Sequence, residues 1–184
     1  YFRSYGGTIS KESRCLKVIN REWKGIIGGS EFALNVKFES NKGEKIFGMG
    51  QYQEAHLNKK GAILELAHRN SQASVPFYVS NRGYGFFWNN PSPGRCETTR
   101  NHILWCSESC YQADFLVFSG DTPADVMKIY ADLTGYASKF PAWAAGFWQC
   151  KLRYGDQEQL LAVAREYKRR GIPIDAIVID FFHW

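Results

Sequence analysis

Gly146-Phe147-Trp148-Gln149-Cys150, and after it Ile174-Asp175-Ala176-Ile177-Val178-Ile179-Asp180, are the two stretches whose reading decides the fold. The first is a short apolar strand, and Lys151 to Gly155 form the loop that leaves it. Asp156 is placed to cap a helix running to Arg170, with Leu160, Val163, Ala164 and Tyr167 on one face at helical spacing. Gly171 stops that helix and Pro173 prevents its return. Ile174 to Ile179 is nearly continuous in apolar residues, the pattern of a parallel strand covered on both faces. Strand, amphipathic helix and second strand spell a βαβ unit. Two parallel strands cannot by themselves close a sheet. The expectation is therefore a fragment cut inside a second domain, prone to aggregate and inactive on its own.

Upstream, Asp121-Thr122-Pro123 is a helix start, and Thr122 with Asp125 fits a capping box. Val126, Ile129, Tyr130 and Leu133 recur at helical spacing, and Gly135 ends the helix. Phe140-Pro141-Ala142-Trp143 is a connector. Residues 1 to about 118 read as all-β. Phe32, Leu34, Val36 and Phe38 share one side of a strand, with Asn35, Lys37 and Glu39 on the other. Val75–Ser80 and Tyr84–Trp88 form a hairpin about the turn Asn81-Arg82-Gly83, and Asn89 to Gly94 form a loop. His102–Cys106 and Ala113–Phe118 are two more strands. Short strands at this spacing predict an antiparallel β-sandwich, so the chain is a multidomain β plus α/β protein.

Composition narrows the function. Lys plus Arg is 23 against 18 Asp plus Glu, and the net charge of +5 is spread along the chain. That excludes the basic stripe of a nucleic-acid binder. No apolar run approaches the ~20 residues that span a bilayer, so no membrane partner is expected. The five cysteines, Cys15, Cys96, Cys106, Cys110 and Cys150, are irregularly spaced and read as mostly reduced, buried thiols. The four histidines are too scattered for a helical metal motif. No charged-then-apolar signal segment is visible ahead of the fold in this fragment, and cytoplasmic, periplasmic and secreted locations all stay open.

Asp180 is the most informative residue. In α/β folds, ligands gather at the carboxyl ends of strands. A carboxylate there accepts hydrogen bonds from sugar hydroxyls, and Phe181, Phe182 and Trp184 supply flat apolar surface for pyranose faces. Position alone equally allows Asp180 to cap a following turn or to pair with Arg153. At the matching rim, Arg153 and Tyr154 are candidates for a pocket wall, and Trp148 reads as core packing. Asn70 lies on a polar loop, Ala67 to Ser71, between strands.

These motifs together resemble glycoside hydrolase family 31, the α-glucosidase and α-xylosidase group. Phe47-Gly48-Met49-Gly50 is similar to the family's Phe/Tyr-Gly-Leu-Gly segment, and Val75 to Gly85 to its sandwich hairpin. Phe140-Pro141-Ala142-Trp143 resembles the Pro-Pro-x-Trp segment before the barrel, and Gly146 to Gln149 and Ile179 to Trp184 its first two barrel strands. The resemblance implies a galactose-mutarotase-like sandwich with a linking helix over residues 1–140. It then implies the truncated start of a (β/α)8 barrel over residues 141–184. It implies a retaining, exo-acting α-glycosidase needing no metal or organic cofactor, acting on an oligosaccharide or α-glycoside. Two carboxylates about 5 Å apart do that chemistry. In the family both lie on later strands, so no catalytic residue is assigned within this chain. Asp180 matches the family's Asp for hydroxyls of the non-reducing-end sugar, with Phe182 and Trp184 lining the pocket. Asn70 falls near a sandwich loop that reaches the active site in relatives. The segment Trp148 to Tyr154 resembles the α-xylosidase branch. A homo-oligomer of the full-length protein is compatible with this reading. The reading from another class is a non-catalytic carbohydrate-binding or scaffolding sandwich.

Overall fold

The computed structural model describes residues 16–181, so the expectations for Cys15, Phe182, His183 and Trp184 lie outside the described residues. One compact unit ends at Gly135 and a second begins at Tyr136.

In chain order the first unit contains β1 (Val18–Gly25), β2 (Phe32–Glu39), β3 (Ile46–Gln51), β4 (Ile63–Leu66), β5 (Ala73–Ser80), β6 (Tyr84–Trp88), β7 (Gly94–Thr98), β8 (His102–Cys110), β9 (Phe115–Ser119) and α1 (Pro123–Thr134). The strands make two antiparallel sheets, ordered β1-β2-β8-β7-β4 and β3-β5-β6-β9. The core between them is aromatic. Tyr78 stacks on Phe86 at 5.6 Å, Phe86 on Trp105 at 5.2 Å, and Trp105 on Trp88 at 5.7 Å. Leu34, Val36 and Phe38 of β2 join this core as their alternation predicts. Phe32 does not: the β2–β8 register slips between Phe32 and Leu34, leaving Phe32 exposed with its ring edge-on to Trp23 at 5.9 Å.

The hairpin β5–β6 forms about Asn81 to Gly83, where Gly83 takes a positive φ of 80°. From Phe77 onward both faces of the hairpin are largely buried, whereas Ala73 and Val75 at the start of β5 are exposed. Tyr78 points into the sandwich, while Phe77 and Val79 form a second cluster with Phe118 and Val126 beneath α1. Phe77 lies flat on Tyr130 at 4.0 Å. The capping box starts α1: the Asp125 N–H donates to Thr122 Oγ1 at 3.2 Å, and the Thr122 N–H to Asp125 Oδ2 at 2.9 Å. The helix meets the sheet through Val126 and Tyr130, one i,i+4 row. Ile129 and Leu133, which recur with them at helical spacing, are exposed.

Polar strands escape the sequence reading. β7 (Gly-Arg-Cys-Glu-Thr) sends only Cys96 and Thr98 into full burial, and Arg95 pairs with Glu97 at 2.8 Å on the other side. The start of β3 is tied down by a buried carboxylate: Glu44 accepts Ser80 Oγ–H at 2.7 Å and Tyr84 O–H at 2.6 Å, with Lys60 Nζ at 3.4 Å.

The segment Phe47-Gly48-Met49-Gly50 is a bulge. Pairing of β3 with β5 slips between Gly48 and Gly50, and Gly48, Met49 and Gly50 take φ of 108°, 71° and 96°. The bulge drives Met49 into full burial. A Cβ on Gly50 would sit 2.1 Å from the Ala73 carbonyl oxygen, so neither the dihedral nor the space admits a side chain.

The second unit holds a 3₁₀ turn (Ala142–Ala145), β10 (Trp148–Cys150), α2 (Gln157–Arg169) and β11 (Ala176–Val178). β10 and β11 are parallel, with Trp148 opposite Ala176 and Cys150 opposite Val178. Asp156 caps α2, its Oδ1 accepting the Gln159 N–H at 2.8 Å. Both strands are shorter than the apolar runs predict, because the residues before them are used differently. The Phe147 carbonyl accepts N–H groups from Asp175 at 3.0 Å and Ala176 at 3.3 Å. The Asp175 carboxylate accepts the Phe147 N–H at 3.0 Å. The residues of β11 are half-buried and Ile179 is exposed, where cover on both faces was expected.

Gly50→Ala is expected to lower the stability of the full-length protein by about 2–4 kcal/mol, from a strained dihedral plus a backbone clash. Urea unfolding followed by tryptophan fluorescence measures it; an unchanged midpoint would show that the bulge does not need glycine.

Candidate functional site

Because β10 and β11 run parallel and in register, the chain leaves both at one rim, and Asp180 sits there two residues beyond Val178. Its two oxygens are held separately. Oδ1 accepts the Phe181 N–H at 2.8 Å, and Oδ2 faces the Cys150 thiol at 3.6 Å, a distance suited to an S–H donor. The Leu152 N–H in turn reaches Cys150 Sγ at 3.4 Å. The Arg153 guanidinium lies 4.8 Å from the centre of the Phe181 ring. The loop after β10 and the chain after β11 therefore meet, with a carboxylate, a guanidinium and an aromatic ring side by side.

Two residues at this rim occupy the left-handed region without being glycine: Leu152 at φ 66° and Phe181 at φ 46°. Each costs on the order of 1 kcal/mol or more, and such residues concentrate where function constrains the backbone. A carboxylate offers about four lone-pair positions. With each oxygen anchored by one donor, Asp180 keeps an orientation in which further hydroxyl donors can bind.

Cys150 was read among mostly buried thiols, yet it is exposed, since it ends its strand at this rim. Cys96 and Cys110 are buried and Cys106 half-buried, and burial pushes the Cys96 thiol well above its ordinary range. Trp148, read as core packing, is exposed and stacks on Trp143 at 5.6 Å. Tyr154, proposed for the pocket wall, is instead buried, and its hydroxyl has no hydrogen-bond partner among the described residues. Asn70 belongs to the first unit, exposed at the tip of the two-residue turn between the bridged pair Arg69 and Gln72. Tyr167 anchors α2 to β10: its hydroxyl donates to Gln149 Oε1 at 2.6 Å, and its ring stacks on Phe147 at 5.9 Å.

Reading the sequence missed Cys150 and Asp175. Cys150 carries a usable signal, since parallel register sets the last residue of one strand beside the residues leaving the next. Asp175 carries little, because it interrupts an otherwise apolar run. Elsewhere, a cavity of about 570 Å³ between α1, β3 and β5 is lined mostly by apolar side chains such as Phe47, Met49, Phe77 and Met127. It offers no converging set of polar groups. Among the described residues, no group of three or more His, Cys, Asp or Glu side chains converges on a metal position. No helix there is long and apolar enough to cross a membrane.

Residues 20–97 match the glycosyl hydrolase 31 N-terminal galactose mutarotase-like domain, and residues 137–184 match the glycosyl hydrolases family 31 TIM-barrel domain. The chain belongs to glycoside hydrolase family 31. The sandwich is the family's N-terminal domain, and the βαβ unit is the start of its barrel. The uncharacterized family 31 glucosidase ORF2 of Pseudescherichia vulneris is 48% identical, over 92% of this chain and 32% of its own length. An α-xylosidase of Saccharolobus solfataricus is 36% identical, over 84% of this chain and 22% of its own. The crystal structure of a family 31 α-xylosidase from a soil metagenome, complexed with xylose, superposes with a TM-score of 0.75 at 53% identity. It covers 89% of this chain and 24% of that one. The chain thus spans a third or less of the length of these relatives.

In this family 31 chain, Gly146 leaves the space that the Asp175 carboxylate fills, since a Cβ there would lie 1.9 Å from Asp175 Oδ2. Gly146→Ala is expected to displace that carboxylate, free the Phe147 N–H and lower the stability of the full-length protein by about 1–3 kcal/mol. Urea unfolding checks this; a wild-type midpoint would mean that the carboxylate does not hold the strand.

Proposed function

We propose that the protein carrying this chain is a retaining, exo-acting α-glycosidase that removes terminal α-linked sugars, with α-xylosides as its preferred substrates over α-glucosides. The observation that carries the reading is Asp180, a carboxylate fixed at the carboxyl ends of two parallel strands beside an exposed ring and a guanidinium. Donors and acceptors beside flat apolar surface suit a pyranose: the carboxylate takes hydroxyl protons while rings cover C–H faces. In this proposal Asp180 binds hydroxyls of the non-reducing-end sugar, and Arg153, Phe182 and Trp184 line its surroundings. Asn70 remains a separate candidate on the sandwich. The nucleophile and the acid/base are contributed by barrel strands other than β10 and β11. The division of labour we propose assigns residues 1–140 to the sandwich with its linking helix and residues 141–184 to the barrel.

The preference for xylosides is supported by the relatives that bear that name, including the one bound to xylose. Xylose lacks the hydroxymethyl group of glucose, and filling the space where that group would sit discriminates by about 1–3 kcal/mol.

In the full-length protein, Asp180→Asn is expected to lower kcat/KM for an aryl α-xyloside about 100-fold, the loss of charge-assisted hydrogen bonds worth ~3 kcal/mol. The wild type should turn over the xyloside at least about tenfold better than the matching glucoside. Near-normal turnover by the variant would remove Asp180 from substrate binding, and a preference for glucoside would reassign the sugar.

A further inference from the structure

The Asp180 carboxylate does not hold itself in place. One oxygen is anchored by the backbone of the next residue, which moves with it. The other faces a side chain from a different strand, the Cys150 thiol at 3.6 Å. That thiol is in turn placed by the register of β10 against β11 and by the Leu152 N–H at its sulfur. This contact ties the carboxylate to the neighbouring strand, and the exposure of Cys150 sets it beside whatever the carboxylate binds.

We infer that Cys150 is a positioning residue: its S–H holds Asp180 Oδ2, so that the free lone pairs of the carboxylate point at a sugar hydroxyl. The sulfur suits the span because its bond to carbon is long and its hydrogen bonds are longer than those of oxygen. The inference rests on the reading of Asp180 as a sugar-binding group. It adds that the aim of this group is set from the first barrel strand.

The test uses the full-length protein in four forms: wild type, Cys150→Ala, Asp180→Asn and the double variant. Cys150→Ala is expected to lower kcat/KM for an aryl α-xyloside about five- to tenfold. In the Asp180→Asn background the same change is expected to cost less than about twofold, because nothing remains to be aimed. A purely structural thiol would give the same loss in both backgrounds, and equal losses, or no loss in Cys150→Ala, overturn the proposal. A second measurement needs no activity. The Raman S–H band in the wild-type minus Cys150→Ala difference spectrum is expected at a hydrogen-bonded frequency, and Asp180→Ala should return it to that of a free thiol. A band unmoved by Asp180→Ala overturns the contact. A wild type that turns over neither an aryl α-xyloside nor an aryl α-glucoside overturns the hydrolase reading instead, and the Raman band still decides whether Cys150 holds Asp180.

Discussion

The carbonyl of Phe147 accepts two amide hydrogens, from Asp175 and Ala176, and Asp175 returns its carboxylate to the amide of Phe147. This reciprocal clip sets the register of two strands of three residues each. Strands that short bury little surface, so register cannot come from a hydrophobic pattern and must come from hydrogen bonds at one end. A slip by one residue would turn Cys150 and Asp180 to opposite faces. Everything at the rim follows from the clip: the meeting of Asp180 with Cys150, the approach of Arg153 to Phe181, and the two left-handed residues that finish the strands.

The sandwich is held in another way. Its core is a continuous stack of aromatic rings from β5, β6 and β8, closed by the aliphatic face of β2. Into this core the buried Glu44 carboxylate is admitted with two hydroxyl donors and Lys60 beside it, which offsets its desolvation. The glycines of the β3 bulge let two backbones approach more closely than any side chain would allow. The family segment Phe47-Gly48-Met49-Gly50 thus has a physical reason of its own: a bulge that seats Met49.

Membership of family 31 and the geometry at Asp180 rest on separate observations. The family rests on matches along both units. The carboxylate rests on the parallel pairing and its donors. Neither supplies the nucleophile or the acid/base, which our proposal assigns to barrel strands other than β10 and β11.

The sequence alone settled what depends on local periodicity and on strong stop signals. The β5–β6 hairpin, the capping box of α1, the Asp156 cap and the strand–helix–strand order are all written in residues close in sequence, where steric and hydrogen-bonding preferences act without outside help. Asp180 was legible as a candidate because it ends an apolar strand at the rim where α/β folds gather ligands, although its position equally allowed a turn cap or a pair with Arg153. Tertiary structure alone decided the rest. The polar strand β7 exists because its neighbours complete its hydrogen bonds, not because of its own residues. Ile129 and Leu133 are exposed because the sheet meets only one row of α1. Trp148 stacks outside the core and Tyr154 within it, against their sequence reading. Cys150 acquires its partner only when a residue 30 positions away is brought opposite by parallel pairing. Such contacts join groups with no local preference for one another, so no window of sequence contains them.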